Sequence, residues 1–90
     1  MQIKSLVIQD VDVIPETLDH GILYVAEHYR IAVHSCCCGC GMEVATPLGD
    51  GQFKLTRDTD GPTIFPSIGN HDYPCQSHYW IENGKVINSY

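Results

Sequence analysis

From Gln2 to Val13 the apolar residues Ile3, Val7, Val11 and Val13 recur at even spacings among polar partners. A period of two is what a strand with one buried face requires. Ile14-Pro15-Glu16-Thr17-Leu18 breaks that alternation. Proline fits the first turn of a helix, so one or two helical turns are expected before Asp19-His20-Gly21 ends them. Ile22 to Ala26 and Arg30 to Ser35 carry the β-branched and aromatic residues Tyr24, Val25, Ile31 and Val33, and are predicted to form a hairpin turning at Glu27-His28-Tyr29.

Alternation resumes from Met42 to Thr46. Pro47-Leu48-Gly49-Asp50-Gly51 then turns the chain into a return strand carrying Phe53 and Leu55. Arg57-Asp58-Thr59-Asp60-Gly61-Pro62 is a polar loop, and Thr63-Ile64-Phe65 a short extended piece. Asn83-Gly84 is a strong type I′ turn signal between Tyr79-Trp80-Ile81 and Val86-Ile87. A two-residue loop pairs Glu82 with Lys85, a cross-strand ion pair worth a few tenths of a kcal/mol. The same register puts His78, Trp80 and Ile87 on one face. An imidazole beside indole and isoleucine predicts a face that excludes water, which favours a metal ligand. The pattern gives one domain over residues 1–90, mainly β with little helix: a small mixed-β domain of two or three antiparallel hairpins.

The second strand of the first hairpin runs directly into Cys36-Cys37-Cys38-Gly39-Cys40-Gly41, and Cys75-Gln76-Ser77-His78 follows further along. These segments hold all five cysteines of the 90 residues. Sulfur-rich clusters separated by a long insert are how a small domain encloses a tetrahedral metal. The glycines let backbone amides turn toward the sulfurs. Ninety residues give a core of marginal stability, and a metal crosslink supplies what the core lacks. The expected centre is one Zn²⁺ in a zinc knuckle, drawn from Cys36, Cys38, Cys40, Cys75 and His78. That is one ligand more than tetrahedral zinc takes, and Cys36 is the member expected to stand outside the first ring. Spacing alone also favours Cys37 with Cys40.

Charge narrows the partners. Five Lys and Arg face eleven Asp and Glu, a formal net charge of −6. That surface repels phosphate backbones, which excludes a nucleic-acid finger. The first residues lack a signal peptide's charged head and apolar run, and no apolar stretch reaches the roughly 18 residues of a membrane helix. A cytoplasmic protein with reduced thiols is expected, with no membrane association and a protein as partner.

The stretch from Tyr24 to Val86 resembles an uncharacterised family of small bacterial proteins, classed as a domain of unknown function. Its pattern is matched by Cys36, Cys38, Gly39, Cys40 and Gly41, by Pro66, Ser67 and Ile68, and by Cys75, Ser77, His78, Tyr79, Trp80, Gly84 and Val86. Cys37 stands where that family has proline, which sets Cys37 outside the ligand set by resemblance. The resemblance implies zinc binding and no established activity. Some relatives lie near genes of bacterial ubiquitin-like conjugation systems, which points to a component of such a system as partner.

The expected function is therefore a structural zinc protein acting as an interaction module. The alternative is a zinc-dependent hydrolase, acting on a protein–modifier bond, with Glu43 as the carboxylate nearest the knuckle. A Cys75 nucleophile with His78 is a further enzymatic reading. Ser67 and Ser77 are candidate hydroxyl nucleophiles, but are expected to cap turns or to donate to thiolates. His20, His28, His34 and His71 are expected at the surface or in turns, with His34 a weak alternative ligand. Tyr24, Tyr73, Tyr79 and Trp80 are expected in the core, and Tyr73-Pro74 at the border of a protein-binding surface.

Overall fold

The alternating segments become eight strands in the computed structural model, which describes residues 2–70 and 74–88. The readings of His71 and Tyr73 lie outside the described residues. Strands β1 (Val7–Asp10), β2 (Ile22–Ala26), β3 (Ile31–Ser35) and β4 (Glu43–Pro47) form one sheet in that order. Strands β5 (Lys54–Asp58), β6 (Gly61–Gly69), β7 (His78–Glu82) and β8 (Lys85–Asn88) form the second, again in chain order. The fold is mainly β, as the alternation requires.

Hairpins make every pairing but the first. β1 runs parallel to β2, with Val7 opposite Ile22 and Asp10 opposite Val25. The helix expected over Ile14–Leu18 does not form. The only helical turn among the described residues is a 3₁₀ turn at Glu27–Tyr29. A lone helix of one or two turns is unstable in water without an apolar face to bury. The segment is instead tied by the Asp19 N–H, which donates to the Tyr24 hydroxyl at 3.0 Å. The polar stretch Arg57–Pro62 is also shorter as a loop than its composition suggests, because β5 reaches Asp58 and β6 starts at Gly61. Arg57 leaves that hairpin to pair with Asp10 at 2.6 Å and Glu27 at 2.7 Å.

One core draws on both sheets. Leu23, Val25, Ala32 and Val44 from the first meet Ile64, Ile68, Tyr79 and Ile81 from the second, with Ile3 and Leu6 from the N-terminal segment. Cys36 and Cys37 belong to the same buried cluster. The core is thus larger than the metal-dependent scaffold anticipated from chain length. The N-terminal segment locks onto the last hairpin: the Leu6 N–H donates to the Gly84 carbonyl and the Val86 N–H to that of Lys4.

That hairpin turns as Asn83-Gly84 predicts, with φ of 51° and 80° at the two residues and Glu82 opposite Lys85. Gly84 is required twice over. A Cβ there would lie 2.6 Å from the Asp60 carbonyl oxygen and 3.1 Å from the Gly61 Cα, both backbone atoms that cannot swing aside. Gly84→Ala should therefore cost about 3 kcal/mol. Chemical denaturation checks this, and a loss below about 1 kcal/mol would mean that the turn relaxes freely.

A candidate metal centre beside a serine–histidine pair

Two strand ends bring the sulfurs together. β3 delivers the chain into Cys36, whose N–H donates to the Met42 carbonyl at 2.8 Å while its own carbonyl accepts from the Gly39 N–H at 3.0 Å. Gly39 and Gly41 carry φ of 89° and 86°, which folds Cys36–Gly41 into a tight turn before β4. β6 and β7, paired near Gly69 and His78, hold the segment that supplies Cys75. Cys36, Cys38, Cys40 and Cys75 then place their sulfurs within 4.8 Å of one another. Cys36 Sγ lies 3.5 Å from that of Cys38 and 3.8 Å from that of Cys75.

Those separations fit a metal and not a disulfide. A tetrahedron with metal–sulfur bonds near 2.3 Å has edges of ~3.8 Å, whereas bonded sulfurs sit ~2.05 Å apart. All five cysteines are free thiols. The four sulfurs are thus positioned to hold a metal ion. Cys37 is outside the group: it packs in the core, and its N–H lies 3.4 Å from the Tyr79 hydroxyl. Burial pushes its thiol up to about 12.

A polar cluster supports the sulfurs from behind. The Asn70 amide donates to Ser77 Oγ at 2.9 Å and approaches Cys36 Sγ at 3.5 Å. Ser77 Oγ, already an acceptor, lies 3.2 Å from Cys36 Sγ and 3.4 Å from Cys75 Sγ, so its own proton is available to sulfur. That hydroxyl, with the Ser77 backbone amide, lowers Cys75 to about 6. Burial drives Cys38 the other way, to about 12, and also raises Cys40. Without a cation the cluster holds back its thiol protons, and a bound divalent ion reverses that preference. Loading at pH 7 should release at least two protons, from Cys38 and Cys40. Apparent affinity should then fall at least about a hundredfold for each unit of pH lowered. Calorimetry in buffers of differing ionisation enthalpy reads the proton count, and a pH-independent affinity would contradict it.

His78 is not among the grouped sulfurs' companions. Its Nε2 lies 2.7 Å from Ser67 Oγ, across the β6–β7 ladder. Ser67 lies in the stretch of β6 between Ile64 and Ile68 where the ladder is irregular, two residues before Gly69, which pairs with His78. The structure therefore brings Cys36, Cys38, Cys40 and Cys75 together and sets His78 beside Ser67 instead. Ser77 is buried against the thiols, in keeping with a donor to sulfur, whereas Ser67 is only half-buried.

Two sequence expectations are corrected by burial. His34, read as a surface or turn residue, is fully buried. Its Nε2 lies 2.7 Å from the Tyr79 hydroxyl, its Nδ1 has no partner among the described residues, and burial lowers the ring to about 4. Trp80, read as core, is on the exposed side of β7, because Tyr79 and Ile81 take the buried positions. The face shared by His78, Trp80 and Ile87 is thus open to water. Ser67, a candidate hydroxyl nucleophile in the sequence but expected as a cap or donor, carries no local mark of its pairing with a histidine 11 residues on.

A family model described as bacterial ubiquitination-like system serine protease (BubE) matches residues 10–88. No curated protein and no solved structure matches the chain. The match associates the chain with a bacterial ubiquitination-like system. Among the described residues no helix is long and apolar enough to cross a membrane.

Proposed function

The chain belongs to the BubE family, and on that premise we propose that it is a serine hydrolase with Ser67 as nucleophile and His78 as general base. The observation that carries the reading is the 2.7 Å separation of Ser67 Oγ and His78 Nε2 on a half-open face. A serine hydroxyl is a weak nucleophile until a base within hydrogen-bond reach takes its proton. The substrate is a protein carrying a ubiquitin-like modifier, and the bond cleaved is the one that joins them.

The chemistry runs in two halves. Ser67 Oγ attacks the scissile carbonyl while its proton passes to His78 Nε2. The tetrahedral intermediate collapses as the same Nε2–H protonates the leaving group, which departs and leaves an ester on Ser67. Water then attacks that ester, giving a proton to His78. Collapse returns the proton to Ser67 Oγ and releases the carboxylic acid.

The metal in this reading is one Zn²⁺ held by Cys36, Cys38, Cys40 and Cys75. Four sulfurs leave no open position for water, so the ion fastens the scaffold and does not enter the reaction. This departs from a zinc-dependent hydrolase. A module without chemistry, the other reading of the sequence, leaves the Ser67–His78 pair with no use. Incubating the protein with a modifier–peptide fusion and following cleavage by mass spectrometry tests the proposal. Protein loaded with Cd²⁺ in place of Zn²⁺ should cleave within about twofold of the zinc form, because a closed site only crosslinks. A rate that tracks the identity of the metal would instead put the ion in the chemistry.

A further inference from the structure

The outer face of the second sheet carries apolar side chains that a small acidic protein has no internal reason to expose. Phe65 on β6 is 62% exposed, Trp80 on β7 is 37% exposed and Ile87 on β8 is 46% exposed. They are contiguous. Trp80 sits directly opposite Ile87 in the β7–β8 ladder, and its ring centroid lies 6.5 Å from that of Phe65, tilted by 41°. One sheet face thus presents an apolar band across β6, β7 and β8. Single exposed apolar residues need no explanation, whereas a contiguous band built on aromatic rings marks a surface for another protein.

The band adjoins the proposed catalytic pair. Trp80 follows His78 by two on β7 and shares its face, and on β6 Phe65 meets Trp80 while Ser67 meets His78. Cavities of about 790 Å³ and 240 Å³ are lined by other residues. The band is the exposed face of a sheet. A face of this shape fits the surface of a folded partner.

We propose that Phe65, Trp80 and Ile87 dock the apolar surface of the folded ubiquitin-like modifier, seating its scissile tail at Ser67. This rests on the hydrolase reading above. A second copy of this chain is disfavoured as the occupant, because two bodies of formal charge −6 repel on approach. Lys54, opposite Phe65 across the β5–β6 ladder, adds a cation at the rim for an acidic partner residue.

Trp80 is the chain's single tryptophan, so 5-fluorotryptophan labels the band alone. The probes are the folded modifier fused to a reporter peptide, and a short peptide spanning the same bond. Fluorine NMR of labelled Ser67→Ala protein should shift on adding the fusion and not on adding the short peptide. Phe65→Ser and Ile87→Asp should each raise KM for the fusion at least tenfold, with kcat/KM on the short peptide unchanged. A fluorine shift without cleavage of either probe by the wild-type protein would sink the hydrolase reading and leave the docking face standing. Cleavage of the fusion with no shift and no effect of either substitution would overturn the docking face, and so would neither shift nor cleavage. A wild-type dimer dissolved by Ile87→Asp would overturn it too, with a second copy as the occupant.

Discussion

Ser67→Ala should abolish cleavage of the modifier fusion, lowering kcat on the order of 10⁴-fold, with the fold and metal content unchanged. The alanine removes the attacking oxygen, and no neighbour replaces it. Ser77, the serine against the sulfurs, is buried and engaged by Asn70, Cys36 and Cys75. His78→Ala should cost a similar factor, because the hydroxyl then has no base. The histidine variant also separates two roles for this residue. As a zinc ligand its loss would strip the metal. As a base it leaves the four sulfurs intact, and the cobalt-substituted protein should keep its sulfur charge-transfer absorption. A His78→Ala protein that loses both metal and activity would return the residue to the coordination sphere.

Removing the metal should have the largest effect on stability. A structural zinc site contributes on the order of 10 kcal/mol at neutral pH, comparable to the whole stability of a small domain. Cys75→Ser should therefore collapse the dispersed amide spectrum, as should a strong chelator. Cys75 is the one sulfur brought by the β6–β7 arm, and the other three come from the turn between β3 and β4. Its loss unties the two sheets at that end. The core shared by Leu23, Val25, Ile64 and Ile81 remains and resists. A chelated protein that kept its native spectrum would mean that this core is sufficient. Cys37→Ala should spare metal affinity, since that side chain lies in the core outside the grouped sulfurs.

The elements legible in the sequence were those with local cause. Asn83-Gly84 fixes its turn through positive φ at both residues, and the register from Tyr79 to Asn88 follows from it. The cysteine clusters were legible because few other small domains place thiols so densely. Parity on β7 was legible but its direction was not. His78, Trp80 and Glu82 share one face and Tyr79 and Ile81 the other, and large apolar residues lie on both. Alternation alone does not say which face turns inward. The parallel pairing of β1 with β2 had no local signal, since an irregular connection joins them. The pairing of Ser67 with His78 was hidden for a related reason. Ser67 meets His78 across the β6–β7 pairing, a contact between strands that no local pattern marks.

The central claim, that Ser67 attacks with His78 as its base, is tested most directly by trapping the nucleophile. Zinc-loaded protein treated with a fluorophosphonate should gain one adduct by intact mass, mapped by peptide fragmentation to Ser67 and absent after His78→Ala. Loss of labelling in the histidine variant matters most, because it ties the reactivity of the hydroxyl to the imidazole 2.7 Å away. An adduct at another residue, or Ser67 labelling that persists without His78, would contradict the account.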